Sequence, residues 1–181
     1  MLPVTAQASI SASREEIYDY VADLALRPAW CDHFQKDYRL AGVRSKGLGA
    51  AARYLLDAPL SKLYMEVTIV EAESPRRIVE RAHGGRNLRT NGGVTWELTR
   101  AGSGLTRVEM TYWHEPGTPR EAFKQRLGMQ GWMKRQTKTA LERLRLIFEE
   151  GTGEPLARAS VAGFEPMKGP RFGESPRALR G

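Results

Sequence analysis

Residues 119–150 read PREAFKQRLGMQGWMKRQTKTALERLRLIFEE, and the spacing of their apolar positions decides the fold. At 100° per residue, Phe123, Met133, Thr137, Ala140, Leu141, Leu144, Ile147 and Phe148 gather on one face, with Lys124, Arg135, Lys138, Glu142 and Glu149 opposite. That is the pattern of a helix lying on a core. Thr118 stands where an N-cap belongs, Pro119 at the first helical position and Gly151 where a C-cap glycine belongs. One uninterrupted helix here would run about 48 Å, enough to cross a small sheet. Arg126 and Gln130 are polar positions placed by this reading on the inner face of its first half. The expectation is a helix whose second half seals a core and whose first half looks into a cavity. Gly128 and Gly131 cost about 1 kcal/mol each relative to alanine in such a helix and mark a place where it can kink.

Working back towards the N-terminus, Val4, Ala6, Ala8 and Ile10 alternate with Thr5, Gln7, Ser9 and Ser11, a strand with one buried face. Ser13-Arg-Glu-Glu16 is a capping box that starts a helix at once, with Ile17, Tyr20, Val21 and Leu24 as its apolar stripe. A second helical turn carrying Pro28 and Trp30 follows at residues 25–31. Between Phe34 and His114 the pattern becomes short alternating runs, read as strands at about 34–43, 49–57, 63–73, 77–84, 93–100 and 105–114. Their breaks fall at Ser45-Lys-Gly47, Ala58-Pro59, Ser74-Pro75, the glycines of 84–93, and Ala101-Gly-Ser-Gly104. The fold class is therefore α+β, a curved antiparallel sheet of about seven strands in the order β-α-α-β6-α. Residues 152–181 carry scattered glycine and proline with no periodicity, so the domain is expected at 1–151 and a disordered basic tail after it.

This order of elements resembles the helix-grip fold of the START-like superfamily, the SRPBCC group that includes polyketide cyclases and the birch-pollen-allergen relatives. ASISASREEIYDYVADLALRPAW is similar to the family's opening strand, capped helix and Trp-ended turn. EVTIVEAESPRRIVER resembles its central strand, acidic-Pro turn and strand, and TALERLRLIFEE the end of its closing helix. The resemblance spans about residues 2–150. It implies a sheet gripping the long helix around a mostly apolar cavity, and a small hydrophobic molecule (a lipid, sterol, polyketide or quinone) as ligand. A minority of such proteins are cyclases or aromatases, and the family has no motif that fixes the ligand.

Candidate cavity residues follow from strand parity and helix face. Val108, Met110, Tyr112 and His114 share one face of the last strand, Met65 the apolar face of a middle strand and Trp96 that of another. Tyr54 belongs to a strand on which Ala51, Arg53 and Leu55 compete with Ala52, Tyr54 and Leu56 for the buried face, which leaves Glu66 and His83 open as well. With Arg126, Gln130 and Met133 from the helix, the set is Tyr54, Met65, Trp96, Met110, Tyr112, His114, Arg126, Gln130 and Met133. Tyr112 and His114 would supply hydrogen bonding and a proton shuttle at the polar end of the pocket. Trp30 either edges the entrance or packs in the core.

Composition excludes several classes. The single cysteine, Cys31, rules out an intramolecular disulfide framework. Cys31-x-His33 supplies only two ligands, and His83 and His114 have no metal spacing, so neither a metal nor a cofactor is expected. There is no G-x-S-x-G, and the glycines serve turns rather than a phosphate loop. The net charge of +7 is carried mostly by residues 119–181, where 13 Lys/Arg face 7 Asp/Glu, against 15 and 14 in residues 1–118. A solvated helix face and basic tail account for it. Without interleaved aromatics or a motif nucleic acid is not expected as a partner, and binding of an acidic protein or membrane through helix and tail ranks third, after a carrier or sensor and a cyclase. No apolar run reaches the length of a membrane span, and a cytoplasmic location is the expectation. Oligomeric state is left open.

Overall fold

The computed structural model describes residues 2–59, 61–85, 89–124, 128–150 and 160–161, and side chains within these segments except Arg120, Glu121, Lys124, Ser160 and Val161. Strand β1 (Val4–Ile10) leads into α1 (Arg14–Val21), a 3-10 turn (Leu24–Leu26) and α2 (Pro28–Cys31). The meander follows: β2 (Gln35–Leu40), β3 (Ala51–Ala58), β4 (Ser61–Glu73), β5 (Arg77–Gly84), β6 (Thr90–Gly102) and β7 (Leu105–Glu115). Then come α3 (Pro119–Lys124), α4 (Gln130–Glu149) and a two-residue strand β8 (Ser160–Val161). The sheet order is β1-β7-β6-β5-β4-β3-β2-β8, with seven antiparallel strands and β8 added in parallel to the β2 edge. The architecture is the α+β, helix-grip-like half-barrel with a long C-terminal helix.

Local chemistry sets these elements. Ser13 Oγ accepts from the Glu16 N–H while the Glu16 carboxylate accepts from the Ser13 N–H, a closed capping box. Ile17, Tyr18 and Val21 form the buried stripe of α1. Tyr20, placed in that stripe by the periodicity, is instead half-buried and packs edge-on against Phe148 at 5.4 Å.

The closing segment corrects the reading of one long helix. Gly128 sits at φ 101°, a backbone conformation that side-chain-bearing residues rarely adopt, and Gly128 and Met129 form a π-type turn before α4 begins. The 20 residues of α4 span about 30 Å. Because a helical phase cannot be carried across such a break, the expected stripe holds only on its C-terminal side. Met129, Trp132, Met133, Thr137, Ala140, Leu141 and Leu144 are buried, with Ile147 and Phe148 packed at the edge of the core. Phe123, expected inside, is 64% exposed. The helix lies against β1 and α2. Of residues 152–181, expected to be a disordered tail, only 160–161 are among the described residues, and Gly151 and Arg126 also fall outside them.

Candidate functional site

Pleating sends every second residue to the concave face, so register alone assembles the inner surface. Across the middle of the sheet Ala52 pairs with Val67, Val67 with Ala82, Ala82 with Gly92 and Gly92 with His114. Three short side chains and the bare Gly92 backbone thus form a floor that ends at an imidazole. On one side of it runs Tyr54–Met65–Gly84–Thr90, on the other Ile69–Glu80–Val94–Tyr112. Beyond that lies Ile78–Trp96–Met110.

Tyr54, Met65, Trp96, Met110, Tyr112 and His114 are all buried on this concave face, and Met133 is buried on α4. The β3 alternatives resolve in favour of Ala52, Tyr54 and Leu56, while Arg53 and Glu66 lie on the convex side and pair at 2.6 Å. His83, which pairs with Glu66 in register, shares that convex side. One candidate is not joined to the set. Gln130 is exposed, although its helical phase lies only about 20° from that of Thr137. With Gly131 and Lys134 it lines an open groove of about 440 Å³ against Pro3, Val4 and Thr5. Arg126 lies outside the described residues.

Curvature brings distant strands together. Tyr54 on β3 and Tyr112 on β7 are four strands apart, about 19 Å in a flat sheet. Yet, after burial, Tyr112 is the largest influence holding the Tyr54 phenol well above its ordinary value. Burial likewise pushes the Tyr112 phenol up. Both therefore stay protonated and act as hydroxyl donors rather than bases. The rings of Tyr112 and His114 stack at 6.5 Å, 12° from parallel.

The sequence reading missed the most polar feature of the interior. Arg27, in the turn before α2, lays its guanidinium against Glu80 on β5, with Nη1 and Nη2 donating to the two carboxylate oxygens at 3.1 and 2.5 Å. The side chains are 2% and 1% exposed. Trp96 Nε1 donates to the same carboxylate at 2.9 Å. Trp30 and Trp96 meet edge-on at 5.3 Å, and the Arg27 guanidinium carbon lies 4.8 and 5.6 Å from their ring centres. Burial works against the Arg27 charge, and the Glu80 carboxylate overrides it, so the guanidinium is held above its ordinary value. Trp30, fully buried, is thus core rather than entrance.

Beside this pair, β2 carries a bulge between Lys36 and Arg39, with Asp37 at φ 49°. The extra residue lets Gln35 and Tyr38, three apart, both face inward. Tyr38 stacks on Tyr54 at 6.1 Å and 10°. Its hydroxyl, Trp30 Nε1 and Arg27 Nε are buried without a hydrogen-bond partner among the described residues. Strand alternation signalled half of this: Ile78, Glu80 and Ala82 share one parity, so a carboxylate stands in an apolar register. The bulge hid Tyr38.

Burial drives the Cys31 thiol far above its ordinary value, which leaves no thiolate to react. Among the described residues no group of three or more His, Cys, Asp or Glu side chains could hold a metal ion.

A chain with this element order and concave face matches, over residues 1–149, the family described as polyketide cyclase / dehydrase and lipid transport, and it belongs to that family. Among solved structures it is similar to TTHA0849 from Thermus thermophilus, at 21% identity and a TM-score of 0.61, covering 83% of this chain and 99% of that one. A conserved protein from Geobacillus kaustophilus gives 16% identity and a TM-score of 0.64, over 83% and 97% of the two chains. DynU16, a protein of the dynemicin biosynthetic locus, gives 18% identity and 0.56, over 84% of this chain but 48% of its own. At these identities the likeness is one of fold. No curated protein matches the chain. Among the described residues no helix is long and apolar enough to cross a membrane.

Proposed function

We propose that the protein binds a small, largely apolar molecule on the concave face of its sheet and acts as a carrier or sensor of it. The observation that carries this reading is the floor Ala52–Val67–Ala82–Gly92, three short side chains and a glycine across four strands, bordered by Tyr54, Tyr112 and His114. Short apolar residues leave depth for a ligand body, and the few hydroxyls and the imidazole at the margin orient it. Family membership supports the same class of ligand.

The test is native mass spectrometry of freshly purified protein beside Ala82→Phe, which raises a phenyl ring from the middle of that floor. A bound apolar mass in the parent that is absent from a folded A82F supports the reading. A ligand-free parent that also binds no hydrophobic probe overturns it.

A second reading is a cyclase or aromatase, favoured by the stacked Tyr112–His114 pair. There Tyr112 would donate a hydrogen bond to a carbonyl while His114 moves a proton between carbon and oxygen. Turnover of a poly-β-ketone chain by the parent and its loss in His114→Phe, with binding retained, would establish it. Binding without turnover leaves the carrier reading.

A further inference from the structure

A curved sheet that does not close into a barrel has two edges, and this chain treats them differently. At one edge α4 lies against β1. At the other stands β2, six residues long beside the 13 of β4, with a bulge between Lys36 and Arg39 and exposed side chains at Lys36, Asp37 and Arg39. Short length, a bulge and charge are the marks of an edge defended against pairing with another chain. The defence has a gap. The Ala41 N–H donates to the Ala51 carbonyl at 2.9 Å, so by antiparallel alternation the N–H and C=O of Leu40 point outward, away from β3. That is where the chain's own tail arrives, Ser160 and Val161 pairing in parallel with Arg39 and Leu40. The sequence of the tail explains the choice of these two residues. Within residues 152–181 the longest run free of charge and of proline is 159–164, ASVAGF, closed off by Arg158 and Glu165. No other such run exceeds two residues, so only here can a strand form without a proline or a charge interrupting it.

We infer that the outer edge of β2 is a strand-docking site and that β8 is its guard, holding the protein as a monomer by occupying the place where β2 of a second copy would pair. A second β2 is the matching occupant, because the same edge turned by a two-fold axis offers its own outward N–H and C=O groups in an antiparallel ladder. The tail prevails by proximity. Ser160 follows Glu150 by ten residues, a reach of up to about 33 Å, and a tether of that length presents the strand at an effective concentration of about 1 mM. A second copy at about 10 µM is roughly a hundredfold more dilute, and it pairs only when the tail is taken away.

The test keeps the full chain and places prolines in the guard, Ser160→Pro with Val161→Pro. A control carries the same change farther along the tail, Ala178→Pro with Leu179→Pro. Proline has no N–H to give to a ladder, so the first variant loses β8 and the second does not. Hydrogen–deuterium exchange at Leu40 is read by fragmentation mass spectrometry, and the mass in solution by light scattering. At about 10 µM the Leu40 N–H of S160P/V161P should exchange about tenfold or more faster than that of the parent. At about 300 µM the same variant should dimerise and its Leu40 protection should return, while parent and control stay monomeric. Leu40 exchange unchanged at the lower concentration would show that the tail does not hold the edge. Faster exchange in a variant that stays monomeric at the higher one would show that no second copy takes its place. Either result overturns the guard, as would a dimer that leaves Leu40 unprotected or equal dimerisation of the parent or of A178P/L179P.

Discussion

The protein pairs arginine with glutamate on both faces of its sheet. On the convex face Arg53 Nε meets Glu66 at 2.6 Å with side chains 63% and 31% exposed, and Arg77 reaches Glu71 and Glu97 at 2.9 and 3.1 Å. On the concave face Arg27 meets Glu80 at comparable distance with almost no exposure. Geometry is alike, but solvent is not. Outside, water screens the attraction and takes over when one partner is lost. Inside, each ion has lost its hydration and holds only what its neighbours supply. The lesson is that the interior pair should be judged by what its removal leaves behind.

The largest expected effect follows directly. Arg27→Met strands the Glu80 carboxyl in the interior with only the Trp96 N–H, and should cost about 3–5 kcal/mol. In denaturant or thermal melts that is a fall of roughly 6–20 °C. Replacing both partners, Arg27→Met with Glu80→Leu, should restore most of the loss, because no charge is stranded. A double variant no better than the single one would mean that the pair is itself stabilising, and the contrast between the two faces would collapse.

Next in size is the tryptophan pair. Trp96→Phe removes the donor to Glu80, a bond to a charged acceptor worth about 1.5–3 kcal/mol beyond any change in packing. Trp30→Phe removes an N–H with no partner among the described residues and should be cheaper by about that amount. Equal losses on chemical denaturation would show that ring volume, not hydrogen bonding, sets the cost.

These two faces also show what was legible in the sequence. Alternation placed β1 and the meander, and a capping box placed α1, because both are local patterns whose partners lie within a few residues. The burial of Tyr54, Met65, Trp96, Met110, Tyr112 and His114 follows from strand parity in the same way, with β3 settled only by its long-range register to β2 and β4. The Arg27–Glu80 pair joins residues 53 apart, and Arg27 sits in a turn with no period to mark it. Tyr38 was hidden by one extra residue in β2, and the exposure of Phe123 by the break at Gly128. Periodicity fails where a single residue resets the phase, which is why Tyr38 was missed; Gln130 lies after the break, in phase with Thr137, and is exposed nonetheless.

A smaller effect tests the contact between α2 and α4. His33 is half-buried, with Nε2 donating to the Gln136 carbonyl at 3.2 Å and Nδ1 buried without a partner among the described residues. Burial holds its imidazole below the ordinary value, against the opposing Gln136 bond, with Arg143 and Lys36 lowering it and Asp32 raising it. The unfolded chain then binds the proton more readily than the folded one. His33 therefore supports stability fully above about pH 6.5, the ordinary value, and the support is lost as pH falls below it towards the depressed folded value. Urea midpoints across pH 5–7.5 should fall on the acid side in the parent, and the slope should shrink in His33→Gln. Identical slopes would remove His33 from the account.

The smallest expected effect completes the comparison from the outside. Arg53→Ala deletes a pair with good geometry, yet Glu66 regains water at once, so the loss should stay below about 1 kcal/mol and shrink further in 0.5 M salt. Arg53 sits on β3 opposite Glu66 on β4, and both strands are held there by apolar residues of the other face, Ala52 and Val67 among them, which the change does not touch. A loss above about 2 kcal/mol, insensitive to salt, would mean that the convex face at β3 and β4 is shielded from water. Exposure would then no longer separate the two ion pairs, and the difference between them would have to come from the tryptophans around Arg27 instead.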